Sequence, residues 1–154
     1  ALLMSIAPPQ FEIVEKVLLD LVSTDTTKQV FYLETVAQQM CTFDSIPVRE
    51  QLAFTLEYVR EPAKMKADYD SLIALYLQAD VAQLYQLSIE PFEGSRYDYY
   101  LLEKRNRNWA PRLIERMATQ KTFVAVGAGH LGGTVGLITL LEQAGFTVTF
   151  IGDS

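Results

Sequence analysis

Residues 122–151 run TFVAVGAGHLGGTVGLITLLEQAGFTVTFI, and their punctuation predicts three elements in succession. Thr122 to Val126 is short, β-branched and aromatic, the pattern of a buried strand. Glycines at 127, 129, 132, 133 and 136 interrupt it, after which Leu137 to Gln143 takes up helical spacing and stops at Gly145. Thr147 to Ile151 is β-rich again. A strand, helix, strand unit is almost always right-handed with parallel strands, so this stretch predicts a parallel sheet.

Outward from it, Val30-Phe31-Tyr32-Leu33 is another short β-branched and aromatic run, and it ends at Glu34. It predicts a third strand. Most of the remaining chain has helical periodicity. Phe11, Val14, Leu18 and Leu21 follow the Pro8-Pro9 pair, Val36 to Phe43 reads as helix, and Val48, Leu52, Leu56 and Val59 follow Pro47. Helical patterning holds from Glu61 to Glu90, restarted by Asp80 and Gln83 as a capping box, and returns from Tyr97 to Met117, with a kink expected near Pro111. The expected fold is therefore α/β: one domain over residues 1–154, with a small parallel sheet and a large helical insertion at about 45–118. Three strands make a thin sheet. Either another segment or another chain completes it, a homo-oligomer being one such outcome, or the helices cover unusually exposed strands.

The chain is 154 residues long, 49% hydrophobic and 21% charged, which suffices for one real core and excludes a disordered chain. Nineteen acidic against thirteen basic residues give a formal charge of −6, the wrong sign for a partner of nucleic acid or of an anionic membrane. No uninterrupted apolar run reaches the ~20 residues that span a bilayer. Cys41 is the one cysteine and His130 the one histidine, which excludes an intrachain disulfide, cysteine-rich zinc modules and two-histidine motifs. A metal site would have to be rich in carboxylates or completed from outside the chain. Cys41, beside Met40 and Phe43, reads as a core residue.

Three features bear chemistry. Gly127, Gly129 and Gly132 satisfy G-x-G-x-x-G after a predicted strand, and Asp153 lies about 20 residues on, where a ribose-binding acid belongs in a dinucleotide site. The same glycines also suit a helix packed tightly on a sheet, and both readings stay open. Arg105 and Asn106 fall on or beside the apolar stripe of Leu102, Trp109 and Leu113, where a cation and an amide need buried partners. Glu34 and His130 follow predicted strands, and ligands of open parallel sheets gather outside strand carboxyl ends, so these two are expected to share a crevice.

Together, Leu33-Glu34-Thr35 with Gln38, Arg105-Asn106 with Trp109, and Gly127-Ala128-Gly129-His130-Leu131 with Gly133, Gly136 and Gly145 resemble the TraB/GumN family, which is related to the Tiki proteins and more distantly to erythromycin-esterase-like and ChaN-like proteins. Tyr76-Leu77-Gln78-Ala79-Asp80 is similar to a further family segment, with Ala79 where a glycine is usual. The resemblance implies a metal-dependent hydrolase or peptidase acting on a peptide or small-molecule substrate, in the cell envelope or periplasm. It implies His130 as a metal ligand or nearby base, and Glu34 as a ligand or the base that activates water. Arg105 and Asn106 would orient the carboxylate or stabilise an oxyanion. Family members usually carry two GxxH motifs and only Gly127 to His130 is present, which implies the C-terminal portion of a larger family domain. One histidine and one glutamate predict that manganese, cobalt or zinc binds weakly or not at all. An inactive remnant or a non-catalytic interaction module is the alternative outcome.

Overall fold

A computed structural model describes residues 13–90 and 96–151; Phe11 and Asp153 lie outside the described residues. The chain separates into two compact units, Ala1–Tyr32 and Leu33–Ser154. In the first, α1 (Val14–Ser23) ends where Asp25 accepts from the backbone and the hydroxyl of Thr27, closing a turn. The second holds α2 (Val36–Asp44), α3 (Val48–Arg60), α4 (Pro62–Leu77), α5 (Val81–Ile89), a π-helical turn (Tyr99–Glu103), α6 (Lys104–Met117), a 3-10 turn (Ala128–His130) and α7 (Leu137–Gln143).

Local chemistry sets the helix ends. Thr35 and Gln38 form a complete capping box on α2: the Thr35 hydroxyl accepts from the Gln38 N–H at 3.2 Å and Gln38 Oε1 accepts from the Thr35 N–H at 2.8 Å. Asp80 caps α5 by accepting from the Gln83 N–H at 2.9 Å. α7 stops at Gly145, whose φ of 91° lets the Phe146 N–H reach back to the Leu141 carbonyl at 3.0 Å.

The core is small and centres on α6. Trp109, Ala110 and Leu113 meet Leu137 of α7, and Leu33, Ile114, Met117, Val124, Val126 and Leu140 pack around them. A second contact layer joins α3 to the segment before the π turn, where Phe54 lies near Tyr58 and Tyr97.

The sheet expected from the sequence is not there. The described residues are helix, turn and irregular chain with no strand, so the α/β class is corrected to an all-helical one. The reason lies in what a strand is: an extended conformation becomes a sheet only when its N–H and C=O groups pair with a neighbour. Thr122 to Val126 keeps the period-two burial of a strand, with Thr122, Val124 and Val126 partly buried and Phe123 and Ala125 exposed. Its inward valines are anchored on the α6–α7 core, yet it joins no ladder. The runs at Val30 and Thr147 are likewise unladdered. Glu34 thus precedes a helix cap and does not end a strand, and the glycine segment leads from irregular chain into a 3-10 turn. The Tyr97 to Met117 helix does form, with a π turn at Tyr99–Glu103, and α6 runs through Pro111. Cys41 is exposed on α2, contrary to the core position expected for it.

Candidate functional site

α6 supplies the centre of the site. The π turn before it takes one more residue per turn than an α-helix and so rotates the faces of α6 about its axis. Arg105, Trp109 and Leu113 then recur at four-residue spacing along one face, with Asn106 beside them, while Arg107 faces out towards Glu103. Asn106, Trp109, Ala110 and Leu113 are buried.

Arg105 reaches Glu34 in a two-pronged pair: Nη2 donates to Oε1 at 2.6 Å and Nε to Oε2 at 3.1 Å. Nη1 donates to the Leu101 carbonyl at 2.9 Å, one turn back. Each side chain of the pair is 17% exposed, so the charges meet at a half-dry place where pairing matters more than on an open surface. Arg112, two turns along α6, donates to the Leu33 carbonyl and holds the segment that presents Glu34.

Asn106 is 2% exposed and makes three hydrogen bonds. Its Nδ2 donates to the His130 carbonyl at 3.2 Å and to the Val135 carbonyl at 2.8 Å, and its Oδ1 lies 2.8 Å from Nδ1 of the His130 ring. The 3-10 turn that carries His130 is closed by its own N–H bonding the Gly127 carbonyl at 2.9 Å. Trp109 lies between the two polar pairs. The His130 ring centroid is 4.5 Å from the indole, and the Arg105 guanidinium carbon lies 4.7 Å from it. Burial first, and then the positive charge of Arg105, pull the imidazole pKa from 6.5 down to about 4.

Glu34, Arg105, Asn106 and His130 are therefore brought together around Trp109, with the helix entry at Thr35 and the 3-10 turn in place of the strand ends expected for Glu34 and His130. The roles implied for them fit unevenly. Both amide hydrogens of Asn106 are taken by carbonyls, which leaves no donor for an oxyanion. Each carboxylate oxygen of Glu34 accepts one hydrogen bond from Arg105. Among the described residues no group of three or more His, Cys, Asp and Glu side chains is placed to hold a metal ion. A tight transition-metal site takes about three protein ligands, and Glu34 with His130 would supply two at most, so the donors described here do not fit one.

Gly132, Gly133 and Gly136 stand where no side chain fits. A Cβ at Gly132 would stand 2.6 Å from Cβ of Tyr85 on α5, and one at Gly133 would stand 2.5 Å from the Tyr85 ring. A Cβ at Gly136 would collide with the Leu131 and Gly132 carbonyls. At Gly129 a Cβ would meet Leu102 and Ser88 at 3.6 Å, and at Gly127 the nearest atom would be the His130 ring at 3.9 Å. Tyr85 thus packs closely on Gly132 and Gly133, and the next helix begins only at Leu137, so no helix N-terminus follows the glycines directly as the dinucleotide fingerprint requires. Asp153, the other half of the dinucleotide reading, lies outside the described residues. Tyr85 and Arg112 are the parts that sequence patterning missed. Arg112 stands seven residues after Arg105, on the same side of a helix, and that spacing was the available signal; Tyr85 offered none.

Among the described residues no helix is long and apolar enough to cross a membrane. The sequence model of the TraB/PrgY/gumN family matches residues 4–150, nearly the whole chain. No curated protein and no solved structure gives a significant match.

Proposed function

Because the chain belongs to the TraB/PrgY/gumN family, we propose that it is a hydrolase in which His130 accepts a proton from water as that water attacks an amide or ester carbonyl. The substrate class is a peptide or a small acyl compound. The observation that carries this reading is the state of the imidazole. Its pKa near 4 leaves it unprotonated at neutral pH, and one ring nitrogen is held by Asn106 while the other makes no hydrogen bond among the described residues.

The proton taken from water would reside on the imidazole while the carbonyl becomes tetrahedral, and it would leave with the amine or alcohol when the acyl bond breaks. An imidazole of such low pKa is a weak base whose conjugate acid is strong. Leaving-group protonation is then easy and water activation is the slow part, so modest turnover is expected. Arg105 and Glu34 neutralise each other and brace α6 against the Glu34 segment. The proton transfer rests on His130 alone and is routed through no metal.

The test is hydrolysis of a panel of peptides and p-nitrophenyl esters by the purified chain, followed by mass spectrometry and absorbance, with His130→Gln beside it. Slow turnover that His130→Gln lacks is expected. Equal rates for the two proteins would remove the reading.

A second reading, an interaction module, is favoured by the apolar side chains on the unladdered runs. Phe123 is 81%, Phe150 70% and Ile151 94% exposed, more than a free surface usually leaves open on neighbouring positions. Self-association would cover them, and light scattering against concentration reads it directly: a monomer throughout removes this reading.

A further inference from the structure

We infer that Asn106 is a positioning residue that fixes neutral His130 as the Nδ1–H tautomer, leaving Nε2 as the one open lone pair of the ring. The hydrogen bonds determine this without reference to activity. Asn106 Nδ2 faces two carbonyl oxygens, of His130 and Val135, at 3.2 and 2.8 Å. Only an N–H donor satisfies two carbonyls, so the amide cannot be turned over, and its oxygen is the atom facing the ring at 2.8 Å. An amide oxygen accepts and never donates. Nδ1 must therefore carry the hydrogen, and in a neutral ring Nε2 must be bare.

Nε2 is also not fully enclosed. Among the described residues every fully buried side-chain nitrogen or oxygen has a hydrogen-bond partner. Nε2 has none, so it is not fully buried, although His130 as a whole is 7% exposed. The ring is thus packed on Trp109 along one side, tied to Asn106 at Nδ1, and open at Nε2. A ligand at this point must bring a hydrogen-bond donor or another electron-pair acceptor. Free histidine favours the opposite tautomer, so the Asn106 bond reverses an intrinsic preference. This deepens the hydrolase reading by naming the atom that would receive the proton, and it moves Asn106 from oxyanion binding to orientation of the base.

The chain contains one histidine, so nitrogen NMR of the labelled protein reports on His130 without assignment. At neutral pH the wild type is expected to show a protonated, pyrrole-like Nδ1 and a pyridine-like Nε2. The reverse pattern, or the averaged pair of an unrestrained imidazole, overturns the proposal. Asn106→Leu is expected to lose the bias; an unchanged tautomer in Asn106→Leu overturns the role of Asn106. If that variant does not fold, the wild-type spectrum still decides the tautomer. Diethyl pyrocarbonate decides the exposure: carbethoxylation of native wild type at Nε2 is expected, and an inert His130 that reacts only after unfolding overturns it. None of these measurements needs turnover. An Nδ1–H tautomer in a protein without hydrolysis retires the hydrolase reading alone, and the opposite tautomer in an active protein retires this proposal alone.

Discussion

Glu34 and Arg105, 71 positions apart in sequence, meet through two roughly parallel hydrogen bonds of 2.6 and 3.1 Å, and each side chain is 17% exposed. Removing either member leaves its partner short of both charge and hydrogen bonds in a half-dry place. Glu34→Gln and Arg105→Leu are each expected to cost about 2–3 kcal/mol, while the double substitution costs less than their sum by about 1–2 kcal/mol. Urea denaturation of the four proteins measures this. Strict additivity would show that the pair is a surface ornament.

His130 makes stability depend on pH. Its pKa falls from 6.5 in the unfolded chain to about 4 in the folded one. Between those values the unfolded state binds more protons, so stability falls with falling pH; the contribution is complete above pH 6.5 and lost as pH drops towards 4. The loss attributable to this group is on the order of 2 kcal/mol. Denaturation at pH 7.5 and at pH 4.5 should show a larger difference in wild type than in His130→Gln. Identical differences would mean that His130 is not buried in the neutral form.

How much of this is legible in the residues varies with the range of the physics involved. Helix starts are readable because capping is local: Thr35 with Gln38 and Asp80 with Gln83 carry their signal within four residues. That Arg105 and Asn106 need buried partners is readable from their place on the Trp109 face; that Glu34 and His130 are those partners follows in the sequence only from strand ends that do not form and from the family resemblance. The sheet is not, because β-branched runs such as Thr122 to Val126 specify extension, whereas a ladder depends on a partner elsewhere. The roles of Glu34 and Asn106 are hidden for the same reason. Whether a carboxylate or an amide is free depends on which other groups claim its atoms, and the claimants lie 71 residues from Glu34 and 24 and 29 from Asn106. Cys41 fails on burial, since the apolar neighbours Met40 and Phe43 are themselves exposed.

Close packing of the glycine segment on Tyr85 predicts a graded series. Gly132→Ala meets Tyr85 Cβ at 2.6 Å and the Val81 carbonyl at 3.0 Å, and should cost about 2–3 kcal/mol. Gly133→Ala adds a φ of 84° to a clash with the Tyr85 ring and should cost at least as much. Gly145→Ala, at φ 91° with nothing within 4 Å, should cost about 1 kcal/mol from backbone strain alone. Tyr85→Ala removes the ring but keeps Cβ, so it should partly rescue Gly133→Ala and leave Gly132→Ala unrescued. Calorimetry with nicotinamide dinucleotides at millimolar concentration should give no heat. Measurable binding would restore the G-x-G-x-x-G reading.

Ala79 offers a prediction of the opposite sign. It follows α4, where the Asp80 N–H bonds the Leu75 carbonyl at 3.2 Å and the Ala79 N–H bonds the Tyr76 carbonyl at 3.1 Å. This is the helix-ending motif that places its last residue in the left-handed region, and Ala79 adopts φ 54° there. A side chain in that region costs about 1–2 kcal/mol because Cβ crowds the following carbonyl. Glycine avoids the crowding but brings about 0.4–1 kcal/mol of additional unfolded-chain entropy. The strain outweighs the entropy, so Ala79→Gly should stabilise the protein by about 0.5–1 kcal/mol, a rise in Tm of about 1–4 °C for a chain of this size. Ala79→Val, with branching at Cβ, should be destabilising. Thermal unfolding of the three proteins at one concentration reads both signs, and a lower Tm for Ala79→Gly would mean that the end of α4 does not adopt this motif.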